Sequence, residues 1–297
     1  MEKSEFLALS ETKSFVNWLS PRVNNNGLDF QYSMESSYST ISAAKNRYQW
    51  PPKACRFFTP EREVKIVAKS SFRENQKILD EIKRGLQNSL NNADDQQLAA
   101  WIESTLRWGG VFTAPASGTG NKGWLEERRS KGDLRDYFSE CLKKLAVIND
   151  DSIRLEIKNL RSNAGLTKVY SLALDDFAIY DSRVAAALTW LVSSWAEDEG
   201  CEVPESLKFV ALQARTSSNN KPLRNANKKI FSTISISHIR DHQKHLLWNI
   251  RANWLLNLVL QEQTKFQRGS NAITTLREFE AGLFVLGDNL NYARQFK

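Results

Sequence analysis

Residues 161–192 read RSNAGLTKVYSLALDDFAIYDSRVAAALTWLV, and the fold turns on how this stretch is read. Gly165 supplies the freedom for the positive φ that a tight turn at 162–165 would need. Over residues 167–174, Val169, Leu172 and Ala173 share one face by their i, i+3, i+4 spacing, which predicts a helix. Asp175 and Asp176 end it, and residues 177–180 form an apolar run of extended character. Asp181 then stands before a strongly helical segment at 184–192. Aspartate is a preferred N-cap, because its carboxylate accepts orphan backbone N–H groups and sits favourably at the positive end of the helix. A lysine, Lys168, thus opens one helix and an aspartate opens the next, thirteen residues later. The plain reading is a solvated lysine and a cap. The apolar residues on both sides of Asp181, with Arg183 close enough to pair with it, favour a functional reading.

Length and composition bound the alternatives. The 297 residues suffice for one large or two modest domains, with 41% hydrophobic and 25% charged residues, a globular balance. No apolar run approaches the roughly 20 residues of a membrane span, and residues 1–6 carry charge where a signal peptide would be apolar. The expectation is a cytoplasmic protein with no membrane partner. Cys55, Cys141 and Cys201 form no CxxC pair, so neither a disulfide framework nor a cysteine zinc site is implied.

Charge is uneven. Residues 208–268 hold eleven bases against two acids, Asp241 and Glu262, leaving +9 in that window and −2 for the rest of a chain whose total is +7. A single-sign window in an otherwise balanced chain is the footprint of a nucleic-acid backbone. Within it, residues 213–229 have few apolar side chains and read as a loop carrying Arg215, Lys221, Arg224, Lys228 and Lys229, suited to phosphate contacts that position without reading sequence.

The central stretch resembles the active-site segment of the helix–hairpin–helix DNA glycosylases, the 8-oxoguanine glycosylase branch in particular. Gly165-Leu-Thr-Lys168-Val169 is similar to the hairpin and first helical turn, and Ala178-Ile-Tyr-Asp181-Ser-Arg-Val184 to the segment leading into the capped helix. Only Gly165 stands where that family carries a Gly-x-Gly pattern, and the interval from Lys168 to Asp181 is shorter than is usual there. The resemblance implies a mainly α protein: a helical bundle of helix–hairpin–helix DNA glycosylase type at 63–297, preceded by an irregular N-terminal segment at 1–62. It implies Lys168 as nucleophile and Asp181 as electrostatic or acid–base partner; no cofactor and no metal are expected. Double-stranded DNA would be held by Arg161, Asn163, Gly165, Arg183 and the basic loop. A flipped base would be clasped by aromatic residues, for which Trp108, Tyr170, Tyr180 and Trp190 are the candidates. Two other readings stay open: a non-catalytic DNA-binding module on the same scaffold, and an interaction subunit of a phage-defence or repair complex.

The rest of the chain supplies the frame. Helical patterns run over 6–19, 72–91, 95–108, 133–148, 150–160, 237–262 and 273–296, with a short one at 36–44. Thr59-Pro60-Glu61-Arg62-Glu63 reads as a helix start continued by 64–67. Residues 113–131 read as a loop, and Gly118-Thr-Gly120-Asn-Lys122-Gly123 lacks the spacing of a phosphate-binding loop. His238, His242 and His245 share a helix face, but no acid is placed to complete a zinc motif.

Overall fold

A computed structural model describes residues 1–113, 120–213, 221–266 and 272–295. The chain is mainly helical. In order it forms α1 (Lys3–Ala8), α2 (Ser10–Asn24), β1 (Phe30–Gln31), β2 (Ser37–Tyr38), α3 (Ile41–Lys45), β3 (Cys55–Phe58) and β4 (Glu63–Ile66). There follow α4 (Phe72–Asn91), α5 (Asp95–Trp108), α6 (Asn121–Lys131), α7 (Leu134–Ala146), α8 (Leu166–Ala173) and α9 (Ser182–Asp198). The last elements are β5 (Ala211–Leu212), β6 (Thr233–Ile234), α10 (Ile239–Gln263) and α11 (Leu276–Leu286). No described helix is long and apolar enough to cross a membrane.

Two compact units share the chain. The first comprises Met1–Tyr48, Asn149–Ser152 and Tyr180–Lys297; the second comprises Gln49–Ile148 and Ile153–Ile179. The first is built on α9, whose residues are buried without a break from Val184 to Ala196. A helix apolar all round must be enclosed on every side, and α2, α11 and β5 pack on this one. Where α11 ends against the start of α9 the backbones nearly touch: a Cβ built at Gly287 would lie 1.8 Å from the Arg183 carbonyl oxygen. The second unit packs α4 against α5 and α8, with α6 and α7 also on α5. Gly85 lets Trp101 lie flat on α4, since a Cβ there would stand 2.0 Å from the indole ring.

Several expectations are corrected. The segment 1–62 is not irregular: α1, α2 and α3 bury Phe6, Phe15, Leu19 and Ile41. A boundary at 62 would cut the β3–β4 hairpin, whose pairing runs from Cys55 with Ile66 to Phe58 with Glu63. Residues 59–63 therefore do not start a helix. Thr59 Oγ1 accepts the Arg62 N–H at 3.1 Å and the Glu61 N–H at 3.3 Å, closing a turn, and Arg62 pairs with the buried Glu81 of α4. Residues 121–131 are helical rather than loop, held by the buried Trp124 and Leu125. The expected helix at 150–160 shrinks to a 3₁₀ turn at Asp151–Leu155, with Leu155 exposed.

Candidate functional site

The lysine half of the motif belongs to the second unit. Asn163 organises the turn before α8: its Oδ1 accepts the N–H groups of Gly165 at 2.8 Å and Leu166 at 3.0 Å. Its Nδ2 donates to Asn121 Oδ1 at 2.9 Å, and Asn121 Nδ2 donates to the Val111 carbonyl at 3.0 Å. The expected positive φ at Gly165 is absent, since φ is −82° and ψ −54°. Glycine is needed there for proximity instead, as a Cβ would stand 2.3 Å from Asn121 Nδ2 and 2.9 Å from Leu106 Cδ2. The N–H groups of Gly165 and Leu166, which a hairpin would offer to phosphate, are taken by Asn163.

Lys168 follows in the first turn of α8 and is 5% exposed. Its ammonium donates to the Ala164 carbonyl at 2.9 Å. Its methylene stem lies over Gly109, where a Cβ would come within 2.7 Å of Lys168 Cδ. Before Gly109 in the chain, Trp108 donates its indole N–H to Asn75 Oδ1 at 2.8 Å, and Trp50 donates to the Trp108 carbonyl at 2.9 Å.

Tyr170 is fully buried; its hydroxyl donates to the Arg161 carbonyl at 2.7 Å and lies 3.2 Å from the Tyr137 hydroxyl, which accepts the Arg161 N–H at 2.8 Å. Burial holds both phenols well above the ordinary tyrosine range. It also pushes the neighbouring Cys141 thiol up to about 11.

The aspartate half belongs to the first unit. Asp181 Oδ1 accepts the N–H groups of Arg183 at 2.9 Å and Val184 at 3.1 Å, so the carboxylate is the N-cap of α9. Arg183 lies over the Phe284 ring at 4.0 Å and pairs with Asp288 at 2.7 Å. Tyr180 and Trp190 are core residues of this unit: Tyr180 donates to the Val210 carbonyl at 2.7 Å, and Trp190 packs edge-on to Phe30 at 4.7 Å. Each of the four residues expected to clasp a base is buried in its own unit, two in each.

The basic window resolves into two kinds of residue. Arg251 turns inward to Asp151 at 2.8 Å and over Trp248, Arg224 pairs with Asp288 at 3.1 Å, and Lys208 and Lys265 pair with Glu205 and Glu262. Lys221, Lys228, Lys229, Arg240 and Lys244 are exposed. Lys244 reaches back to Ser232 at 3.2 Å, which brings α10 beside the turn carrying Lys228 and Lys229. Arg215 lies outside the described residues. Of the three histidines, His242 and His245 are buried, and His245 Nε2 lies 3.0 Å from the Tyr180 carbonyl oxygen. Among the described residues, no group of three or more His, Cys, Asp or Glu is placed to hold a metal ion.

No family model matches the chain, and neither a curated protein nor a solved structure proved similar to it.

Proposed function

We propose that the chain binds double-stranded DNA and acts on a base drawn out of the stack, as the helix–hairpin–helix glycosylases do. In this reading the neutral amine of Lys168 attacks the sugar C1′, the bond from C1′ to the base nitrogen breaks, and the departing base takes up a proton. Asp181, held by two N–H groups at the start of α9, offsets the positive charge that develops on the sugar. The observation that carries the reading is the burial of Lys168 in the first turn of α8. Lysine is among the residues least often buried, so a lysine enclosed at this point of the fold calls for a role other than solvation.

The test is borohydride trapping on labelled duplexes carrying 8-oxoguanine or uracil. A covalent adduct is expected with the wild type and none with Lys168→Gln. Asp181→Asn separates capping from chemistry, because asparagine caps a helix as well as aspartate but carries no charge. The cap hydrogen bonds are expected to persist while the adduct yield falls. A second reading, a non-catalytic DNA-binding module, is favoured by Asn163, which occupies two turn donors that a hairpin would give to phosphate. Absence of an adduct on every duplex, with unaltered DNA binding by Lys168→Gln, would decide for that module.

A further inference from the structure

We infer that Arg183 and Arg224 form a receptor for a phosphate group, and that the carboxylate of Asp288 fills it in the free protein. Both guanidinium groups meet one oxygen: Arg183 Nη2 lies 2.7 Å and Arg224 Nη2 3.1 Å from Asp288 Oδ1. A guanidinium carries five N–H donors in a fixed fork, suited to bidentate contact with an oxyanion. Arg224 spends only Nη2 on Asp288; its Nε and Nη1 are buried and meet no acceptor among the described residues. The side chain is 10% exposed. Burial, with the Arg183 cation next to it, brings its pKa down to about 10. Buried donors without acceptors are destabilising and uncommon in native proteins.

The arginines are positioned, not loosely placed. Arg183 stands in the first turn of α9 against the Phe284 ring. The chain beside Arg224 is pinned on both sides: Leu223 N–H donates to Asn289 Oδ1 at 3.0 Å, Leu290 N–H to the Leu223 carbonyl at 3.1 Å, and Ala226 N–H to Thr189 Oγ1 at 3.2 Å. Asp288 is the displaceable member, with its side chain 58% exposed at the end of α11. The other acid facing Arg224, Asp181, is committed to the N–H groups of Arg183 and Val184.

A ligand that displaces a tethered carboxylate must offer more than a carboxylate does. A phosphate group brings several oxygens, enough to take Arg183 and the fork of Arg224 together, and the start of the 17-residue α9 favours its negative charge. Two sources share this chemistry, a phosphodiester of DNA and a free phosphate. The duplex arm of the test rests on the proposed DNA partner; the phosphate arm stands without it and without any reaction at Lys168.

The experiment measures binding of inorganic phosphate, against chloride at equal ionic strength, by calorimetry and thermal shift on the full chain. Asp288→Asn removes the internal competitor while keeping the side chain's shape, and should bind phosphate about tenfold more tightly than the wild type. Arg224→Gln should lose the response. Competition by a short duplex, weakened in Arg224→Gln, assigns the phosphate to a DNA strand; phosphate binding without competition assigns it to a small phosphorylated ligand. The inference is overturned if Asp288→Asn gains nothing from phosphate over chloride. That variant decides the matter even if Arg224→Gln fails to fold.

Discussion

Gly165→Ala isolates why a glycine stands before α8. The backbone there has φ −82° and ψ −54°, which any residue adopts. On backbone grounds alone, alanine should stabilise the chain by about 0.4–1 kcal/mol, since it restricts the unfolded state. The neighbours oppose this. A Cβ would stand 2.3 Å from Asn121 Nδ2 and 2.9 Å from Leu106 Cδ2, far inside contact distance. Overpacking of this kind costs about 1–3 kcal/mol. If Asn121 moves aside instead, its bonds to Asn163 and to the Val111 carbonyl are strained or lost, at about 0.5–1.5 kcal/mol each. The net expectation is a loss of about 2 kcal/mol, read in urea as a lower midpoint at unchanged slope. Gly165→Asn sharpens the test. Asparagine tolerates positive φ better than alanine does, so a turn needing positive φ would prefer it, whereas a crowded site must reject the larger side chain more strongly. Relief by Asn121→Ala in the double variant, with a coupling of about 1 kcal/mol, would locate the collision. A Gly165→Ala protein as stable as the wild type, or a more stable Gly165→Asn, would refute the crowding argument.

Two further outcomes follow from the same geometry. Gly109→Ala would place a Cβ 2.7 Å from Lys168 Cδ, and the long side chain can yield by shifting its ammonium. Stability should change by less than about 1 kcal/mol, yet trapping through Lys168 should slow at least ~10-fold, because displacement near 1 Å spoils attack geometry; an unchanged trapping rate would detach Lys168 from the chemistry. Lys228→Gln with Lys229→Gln removes two exposed cations from the turn beside α10. If DNA lies on that face, the slope of log K against log salt should fall by about 2, and an unaltered slope would move the contact elsewhere.

What could be read from the chain is what local chemistry decides. Asp181 caps α9 because an acceptor stands immediately before an apolar helical run, and both facts lie within a few residues. The α4 and α5 helices follow from spacing alone, with Leu79, Ile82 and Leu86 buried on one and Leu98, Trp101 and Ile102 on the other. Residues 59–63 defeat the same method, because Thr-Pro-Glu opens a helix or closes a turn with equal local merit. The choice falls to partners outside the segment, Arg62 reaching Glu81 on α4 and β3 pairing with β4. Gly109 and Gly165 were opaque for a related reason. Each makes room for a side chain from a distant part of the sequence, Lys168 in one case and Asn121 in the other.

Charge shows the same limit most clearly. The window 208–268 reads as eleven bases open to an anion, but a sequence counts charges without saying which are spent. Arg251 is committed to Asp151, and Lys208 and Lys265 to acids three residues away. Arg224 looks in sequence like one more cation of a polar loop; it is instead largely enclosed, beside Arg183 and paired with Asp288. Asp288 stands 105 positions beyond Arg183, so no local pattern could have joined them. The two parts of the window therefore differ in kind. The exposed lysines can supply only screened, sequence-independent attraction. Arg224 of the window, paired with Arg183 from outside it, is partly enclosed and fixed in place, and the two can discriminate among anions by the number and geometry of their oxygens.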